Sequence, residues 1–146
     1  YGPRMGMSHA IPEQLRKANF TEEGGKIEVF STEHRRSFCF VEDAVHMLHR
    51  MIEEAGCEDK TLNLGTTGPE VTMREVAVAC FRTVGKGLIV DEQPETEGSP
   101  ARRAPEMSLT SRLTKYDSII GLEEGLARTY DWYRTNIFEK SAVSAI

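Results

Sequence analysis

Short extended stretches alternate with amphipathic helical stretches along this chain, and this order limits the fold more than any other feature. Residues 26–30 alternate apolar and polar side chains as a half-buried strand does, and 37–41, 61–64 and 87–90 are further extended runs. Apolar residues recur at helical spacing through about 12–19, 42–55, 73–84 and 122–138. No period repeats, so the pattern predicts a mixed α/β fold of short strands and helices.

The helix predicted over residues 73–84 has the clearest boundaries. Thr72, followed three residues later by Glu75, forms a capping box, and Gly85 suits the left-handed conformation that ends a helix. The helix predicted over 42–55 instead carries an apolar stripe on one face, which consists of Ala44, Val45, Leu48, Met51, Ile52 and Ala55.

Residues that could bind a metal ion are scattered. His46 and His49 lie three residues apart on a predicted helix, but off its apolar stripe, which favours two solvated histidines over a metal pair. Cys39, Cys57 and Cys80 have no CxxC spacing, so they are expected to be reduced, packed thiols. We therefore predict no metal site.

The charge and length of the chain exclude several classes of partner. The chain has 146 residues, enough for one hydrophobic core, and 18 lysines and arginines against 23 aspartates and glutamates give a net charge of −5. This charge provides no general attraction for nucleic acid or an anionic membrane. No apolar run approaches the roughly 18 residues of a membrane-spanning helix. We expect a cytoplasmic protein without nucleic acid or membrane partners.

The two ends of the sequence suggest a piece of a longer protein. The chain begins Tyr-Gly-Pro-Arg, without a methionine, as an internal segment would. Residues 141–146, SAVSAI, are small and uncharged after a charged helix, which predicts a frayed tail. We expect an incomplete enzyme whose missing part precedes residue 1.

Five sequence blocks occur in an order and spacing that point to one family. They are YGPRMG at 1–6, RSFCFVEDAV at 36–45, LNLG at 62–65, RAPEMS at 103–108, and LEEGL at 122–126 followed by DWY at 131–133. Together they resemble the C-terminal part of the extended short-chain dehydrogenases/reductases, the NAD-dependent nucleotide-sugar epimerases, dehydratases and decarboxylases. The blocks cover nearly the whole chain.

The resemblance implies the substrate-binding portion of a Rossmann-type enzyme whose N-terminal domain, which holds NAD, is largely missing here. Residues 1–4 would end a Rossmann strand, and a helix and strand within 41–65 would dock on the Rossmann sheet. Apolar residues in that segment are then expected to be exposed or covered by another chain. The sequence has neither a glycine-rich strand-to-helix fingerprint nor the family's Tyr-x-x-x-Lys, so we expect the isolated chain to be inactive.

For the complete enzyme, the resemblance implies hydride transfer from a sugar carbon to NAD, which gives a keto-sugar. Epimerisation, dehydration or decarboxylation of a nucleoside-diphosphate sugar would follow, and the full-length enzyme would be a homodimer. The alternative is a non-catalytic α/β ligand-binding or interaction module derived from the same family.

Two arginines are the leading candidates for contact with the diphosphate of a nucleotide sugar. Arg36 and Arg103 match the family's arginine blocks, and a guanidinium group can bind two phosphate oxygens at once. The alternative is that both are solvated surface residues. Their neighbours Arg35 and Arg102 are the residues most easily confused with them, and Arg102 is expected to be exposed. His34 is expected at the surface, where it could tune the anion site.

Two further residues are expected near the nucleotide, each with a structural alternative. Phe30 occupies the position where relatives place a residue beside the nucleobase, although alternation along its strand also fits a core phenylalanine. Asn63, at the end of a predicted strand, could contact the nucleotide or simply pair with backbone groups.

The first nine residues contain the remaining candidates. The resemblance implies that Ser8 and His9 line the sugar and pyrophosphate, and that Arg4 reaches a phosphate or the sugar. It also places Tyr1 and Pro3 beside the nicotinamide of NAD. A turn that ends a strand explains Pro3 almost as well.

Overall fold

The structure, a computed structural model, describes residues 1–140. The helices are α1 (Ala10–Phe20), α2 (Val41–Glu53), α3 (Met73–Val84), α4 (Ser108–Thr114) and α5 (Leu122–Tyr133). The strands are β1 (Lys26–Phe30), β2 (Arg35–Arg36), β3 (Val71–Thr72), β4 (Ile89–Gln93) and β5 (Arg102–Arg103). The predicted frayed tail, residues 141–146, lies outside the described residues. No helix within residues 1–140 is long and apolar enough to cross a membrane.

The strands form two small sheets, which confirms the α/β prediction. Strand β1 pairs in parallel with β4, and β2 lies between β3, which is antiparallel to it, and β5, which is parallel. Helix α3 lies at the centre of the core and packs against α1, β1 and α5. The fully buried apolar side chains include Ile11, Leu15, Ala18, Ile27, Val29, Val76, Ala77, Cys80, Phe81 and Leu126. Burial raises the pKa of the Cys80 thiol to about 12, as expected for a packed, unreactive cysteine.

The capping box predicted for α3 is present. Thr72 Oγ1 accepts a hydrogen bond from Glu75 N at 3.1 Å, and Glu75 Oε2 accepts one from Thr72 N at 2.7 Å. These bonds lower the pKa of Glu75, so its carboxylate stays ionised at the positive end of the helix dipole. Gly85 ends the helix with φ of 81°, the left-handed conformation that glycine adopts without strain.

Helix α2 lies close to its predicted position, but the side that it buries is not its apolar stripe. Asp43 and Met47 are its buried residues, whereas Val45, Leu48 and Ile52 of the apolar stripe are exposed. The expected exposure of apolar residues in this segment is therefore observed, although docking on a Rossmann sheet stays a prediction. His46 and His49 are exposed, as expected.

Three extended segments predicted from the sequence, 1–4, 37–41 and 61–64, do not form strands. Residues 61–64 have no neighbouring strand to bond with in the described chain. Asn63 instead forms hydrogen bonds with residues 106 and 110. Residues 1–4 form a turn, but Tyr1 N donates to Cys39 O at 2.7 Å and Val41 N donates to Tyr1 O at 2.8 Å. Tyr1 thus makes the hydrogen bonds of a parallel strand pair at a single residue.

The last predicted helix changes its winding before it ends. Residues Arg134–Phe138 form a π-helical segment after α5. Because a π turn holds more residues than an α turn, Phe138 is buried, whereas Ile137, which would continue the spacing of Leu126, Tyr130 and Tyr133 in a regular α-helix, is 38% exposed. Residues 91–105, where the sequence has no regular apolar spacing, contain the end of β4 and all of β5. Helix α4 was not predicted.

We predict that Lys86→Met lowers the free energy of unfolding by about 1–2 kcal/mol. Lys86 Nζ donates to Ala18 O, Asn19 O and Thr21 O at 3.1, 2.6 and 2.6 Å, and so caps the carbonyl end of α1. Methionine keeps the length of the side chain but not these bonds. Thermal unfolding measures the effect, with Lys17→Met as the control because Lys17 makes only a surface ion pair with Glu13. Equal stability of the two variants would contradict the capping role.

Candidate functional site

The register of two parallel strands places the two candidate arginines beside each other. Arg36 of β2 is paired with Arg103 of β5, and Arg35 is paired with Arg102. Residues paired in register project from the same face of a sheet, and their neighbours in sequence project from the opposite face. Arg36 and Arg103 therefore share one face, although they lie far apart in the sequence.

A cleft of about 400 Å³ lies on that face and brings together three predicted site residues, Phe30, Arg36 and Arg103. A second cleft of about 240 Å³ shares Arg103 with the first and extends to Tyr1 and His9. The two clefts also share lining residues Ala10, Ser37 and Phe38, so they form one continuous groove. We call this surface the arginine groove.

The arginine groove carries positive charge without a matching carboxylate. No acidic residue within 1–140 forms an ion pair with Arg36 or Arg103. Partial burial, followed by the charge of Arg103, lowers the pKa of Arg36. Two like charges opposite each other on neighbouring strands destabilise a sheet, and a bound anion would remove this repulsion. The groove is therefore suited to an anionic ligand.

Hydrogen bonds hold the Arg36 guanidinium from within the chain. Its Nη1 donates to Arg35 O at 2.7 Å and its Nη2 donates to Ser99 Oγ at 3.0 Å. A guanidinium has five N–H donors, so three remain available to a ligand. That number is enough for the forked contact that arginine makes with phosphate.

On the opposite face of the same strand pair, the charge of Arg102 is neutralised by Glu70. Arg102 Nε and Nη2 donate to the two carboxylate oxygens of Glu70 at 2.8 and 2.6 Å. This contact lowers the pKa of Glu70, which therefore stays ionised. Arg102 is exposed, as expected, and its charge is paired with that of Glu70, which distinguishes it from Arg103.

Phe30 belongs to the groove and not to the core. Burial alternates along β1 so that Ile27 and Val29 face inward, while Phe30 is 49% exposed. The core alternative for Phe30 is thus wrong, and an aromatic face is available to a ligand at the end of the groove opposite Tyr1 and His9.

Four of the predicted site residues do not line the groove. Arg4 and Ser8 are exposed outside its lining, and Pro3 is half-buried. Asn63 Nδ2 donates to Glu106 O at 2.8 Å and Asn63 O accepts from Thr110 Oγ1 at 2.7 Å, which favours its backbone-pairing alternative.

Tyr1 lines the groove with its ring, but its hydroxyl is directed toward helix α5. The hydroxyl donates to Leu122 O at 3.2 Å, and burial raises the pKa of Tyr1 well above the usual tyrosine value. A phenol held in this way does not act as an acid or base at neutral pH. A contact between Tyr1 and a cofactor stays a prediction.

Sequence reasoning missed several residues of the site. Ser99 and Thr96 come from the loop between β4 and β5 and line the first cleft, and His34 is 2% exposed, so its expected surface position is wrong. His34 is buried because this loop folds over β2. No periodicity in an irregular Pro- and Glu-rich stretch indicates such a contact.

Comparison with known proteins finds one family that matches part of the chain. Residues 1–65 match the NAD dependent epimerase/dehydratase family. Over 145 residues the chain is 32% identical to UDP-glucuronic acid decarboxylase 4 of Arabidopsis thaliana, a match that covers 94% of this chain and 30% of that protein. GDP-L-fucose synthase 1 of Arabidopsis thaliana is 28% identical over 146 residues, with 94% of this chain and 44% of that protein covered.

Solved structures share the fold. An epimerase from Methanothermobacter thermautotrophicus superposes with a TM-score of 0.84 at 23% identity. The aligned region covers 99% of this chain and 43% of the epimerase chain. A second solved structure is UDP-glucuronic acid 4-epimerase from Bacillus cereus in complex with UDP-glucuronic acid and NAD. It superposes with a TM-score of 0.81 at 18% identity, and the aligned region covers 92% of this chain and 42% of the epimerase chain.

The comparisons confirm the predicted resemblance to the NAD-dependent epimerase/dehydratase family of extended short-chain dehydrogenases/reductases. The chain spans between 30% and 44% of the length of the two curated relatives above.

Proposed function

We propose that this chain forms the nucleotide-sugar-binding part of an NAD-dependent epimerase, dehydratase or decarboxylase. The observation that supports the proposal is the pairing of Arg36 with Arg103 across β2 and β5, at a groove where neither charge is neutralised. A diphosphate carries the charge and the oxygens that two adjacent guanidinium groups bind.

The lining of the groove suggests an orientation for the ligand. The nucleobase would contact the ring of Phe30, because an aromatic face stacks on a base of any identity. The diphosphate would lie between Arg36 and Arg103, and the sugar would extend toward His9 and Tyr1 in the second cleft. The choice of base stays open, because no side chain in this proposal distinguishes one base from another.

The residues described here do not fit NAD. Strands β1 and β4 are each followed by another strand, and the N-terminus of α3, which follows β3, is occupied by the Glu75 carboxylate. Strands β2 and β5 do lead into α2 and α4, but the connections, SFCF at 37–40 and APEM at 104–107, contain no glycine. No strand within residues 1–140 therefore leads through a glycine-rich turn to a helix that could bind a pyrophosphate. We propose that a preceding Rossmann domain binds NAD mainly by itself, with Tyr1 and Pro3 as contacts, and that this chain alone is inactive.

The remaining parts of the proposal concern the longer protein. The apolar residues exposed on α2 would be covered by the Rossmann domain, and the complete enzyme would be a cytoplasmic homodimer. The alternative, a non-catalytic binding module, keeps the same groove. It differs from the enzyme only in lacking a domain that carries the Tyr-x-x-x-Lys.

We predict that Arg36→Ala and Arg103→Ala each weaken the binding of UDP-glucuronic acid about tenfold or more, because each removes charge-assisted hydrogen bonds to the diphosphate. Isothermal titration calorimetry on the 146-residue chain measures the dissociation constants. UDP-, dTDP-, GDP- and CDP-sugars are titrated in parallel to find the preferred base.

Arg102→Ala is the matched control, because Arg102 lies next to Arg103 on β5 but on the opposite face. We expect it to bind within twofold of the wild type. An equal loss of affinity in all three variants would indicate a general charge effect. Unchanged binding by Arg36→Ala would contradict the proposed contact between Arg36 and the diphosphate.

A further inference from the structure

Hydrogen bonds join the loop between β4 and β5, residues 94–101, to the turn between β1 and β2 and to the start of β2. Ser31 N donates to Pro94 O at 3.4 Å and Ser31 Oγ accepts from Thr96 N at 2.9 Å. At the other end, Arg35 N donates to Ala101 O at 2.8 Å. The loop therefore forms one wall of the arginine groove, and these hydrogen bonds hold its middle residues beside Arg36.

Ser99, in the middle of this loop, contacts two residues of the β1–β2 turn and β2. Its Oγ lies 3.0 Å from Arg36 Nη2 and 3.5 Å from His34 Nδ1. His34 has a side chain that is only 2% exposed. A buried imidazole thus lies directly behind the hydroxyl group that holds the arginine.

Hydrogen bonding limits which atoms carry the hydrogens. A guanidinium only donates, so Ser99 Oγ accepts from Arg36 and its single hydrogen is free to be donated to His34 Nδ1. The second lone pair of Ser99 Oγ would also allow a bond from Nδ1–H. The surroundings of Nε2 favour the first arrangement, in which Nδ1 accepts and Nε2 carries the hydrogen.

The environment of Nε2 agrees with this assignment. The atom is buried and has no hydrogen-bond partner within residues 1–140, but Glu95 Oε2 lies 3.5 Å away, close enough for electrostatic attraction although outside hydrogen-bonding geometry. A carboxylate oxygen at this distance favours a hydrogen on Nε2 over a lone pair there.

We infer that His34 and Ser99 are positioning residues that orient Arg36 toward the diphosphate of the ligand. This inference rests on the proposed function. An arginine side chain loses rotamer entropy when it is fixed. A relay from His34 through Ser99 fixes part of the guanidinium before the ligand arrives, so less affinity is lost on binding.

Calorimetric titration with UDP-glucuronic acid tests the relay. We expect Ser99→Ala and His34→Phe each to weaken binding about three- to tenfold, and the double variant to be no weaker than Ser99→Ala, because both single changes break one chain of bonds. Ser99→Thr keeps a hydroxyl and should bind within twofold of the wild type. Ser111→Ala is the control, since Ser111 Oγ bonds to Asp117 outside the groove.

Nitrogen NMR of the chain labelled with ¹⁵N-histidine gives a second readout that needs no ligand. We expect the His34 ring to be the Nε2–H tautomer in the wild type and to lose this preference in Ser99→Ala. This experiment also decides the question if His34→Phe fails to fold.

The outcomes separate the relay from the function on which it rests. Wild-type binding that Arg36→Ala abolishes but Ser99→Ala leaves unchanged would overturn the relay alone, as would an Nδ1–H tautomer in the wild type. Absence of any nucleotide-sugar binding by the wild type, with the Nε2–H tautomer present, would overturn the proposed function, and with it the role of the relay in binding.

Discussion

Replacement of Asp43 by alanine is expected to lower the free energy of unfolding by about 3 kcal/mol or more. Asp43 is completely buried in α2 and accepts hydrogen bonds from Tyr116 Oη at 2.7 Å, Ile119 N at 3.1 Å and Ile120 N at 3.0 Å. Alanine leaves these three donors without their acceptor. Urea unfolding, followed by circular dichroism, measures the loss.

Two variants separate the hydrogen bonds from simple packing. Tyr116→Phe removes one donor and is expected to cost about 1 kcal/mol, while Asp43→Asn keeps the volume and one acceptor oxygen and should fall between the two. Burial, followed by the bond to Asp43, raises the pKa of Tyr116 to about 12, so its hydroxyl is a donor at neutral pH. Wild-type stability in Asp43→Ala would show that water replaces the carboxylate without cost.

The elements predicted well from the sequence are those that carry their own signals. Alternation gave the exact bounds of β1, and the capping box with its following glycine gave those of α3. Helix α1 extends the predicted stretch by two residues at its start and one at its end, from 12–19 to Ala10–Phe20. Each of these signals lies within a few residues of the structure that it specifies.

Helix α2 shows where local signals fail. Its bounds follow from its apolar spacing, but spacing alone does not tell which face is covered within this chain. The buried face contains Asp43, whose three partners lie more than 70 residues later in the sequence. A carboxylate would ordinarily be predicted as exposed, because its burial depends on donors that only the tertiary fold supplies.

The candidate site shows the same division. The family resemblance predicted Arg36, Arg103 and Phe30 as site residues, and the structure places all three in one groove. The pairing of the two arginines is a matter of strand register between distant segments, and no spacing in the sequence contains that information. The burial of His34 depends on the same fold, because it requires the 94–101 loop.

Gly125→Ala is expected to lower the free energy of unfolding by about 2 kcal/mol, although alanine is the better helix former. Gly125 is a buried residue of α5 against which Tyr1 and Phe40 pack. A Cβ atom there would lie 2.7 Å from Tyr1 Cζ and 2.9 Å from Phe40 Cδ2, well inside the 3.5–4.0 Å optimum for carbon atoms. Urea unfolding measures the effect.

Gly121→Ala is the matched control, because Gly121 lies at the start of the same helix, with φ of −70° and no atom within 4 Å of an added Cβ. We expect it to change stability by about 0.5 kcal/mol or less. The rings of Tyr1 and Phe40 already contact each other edge to face, at 5.5 Å between centroids, and the Tyr1 backbone is bonded to residues 39 and 41. Tyr1 therefore has little freedom to move away from a new methyl group except into the groove that it lines. If Gly125→Ala proved as stable as Gly121→Ala, the ring would have turned at no cost, and α5 would not fix the position of Tyr1 in the groove.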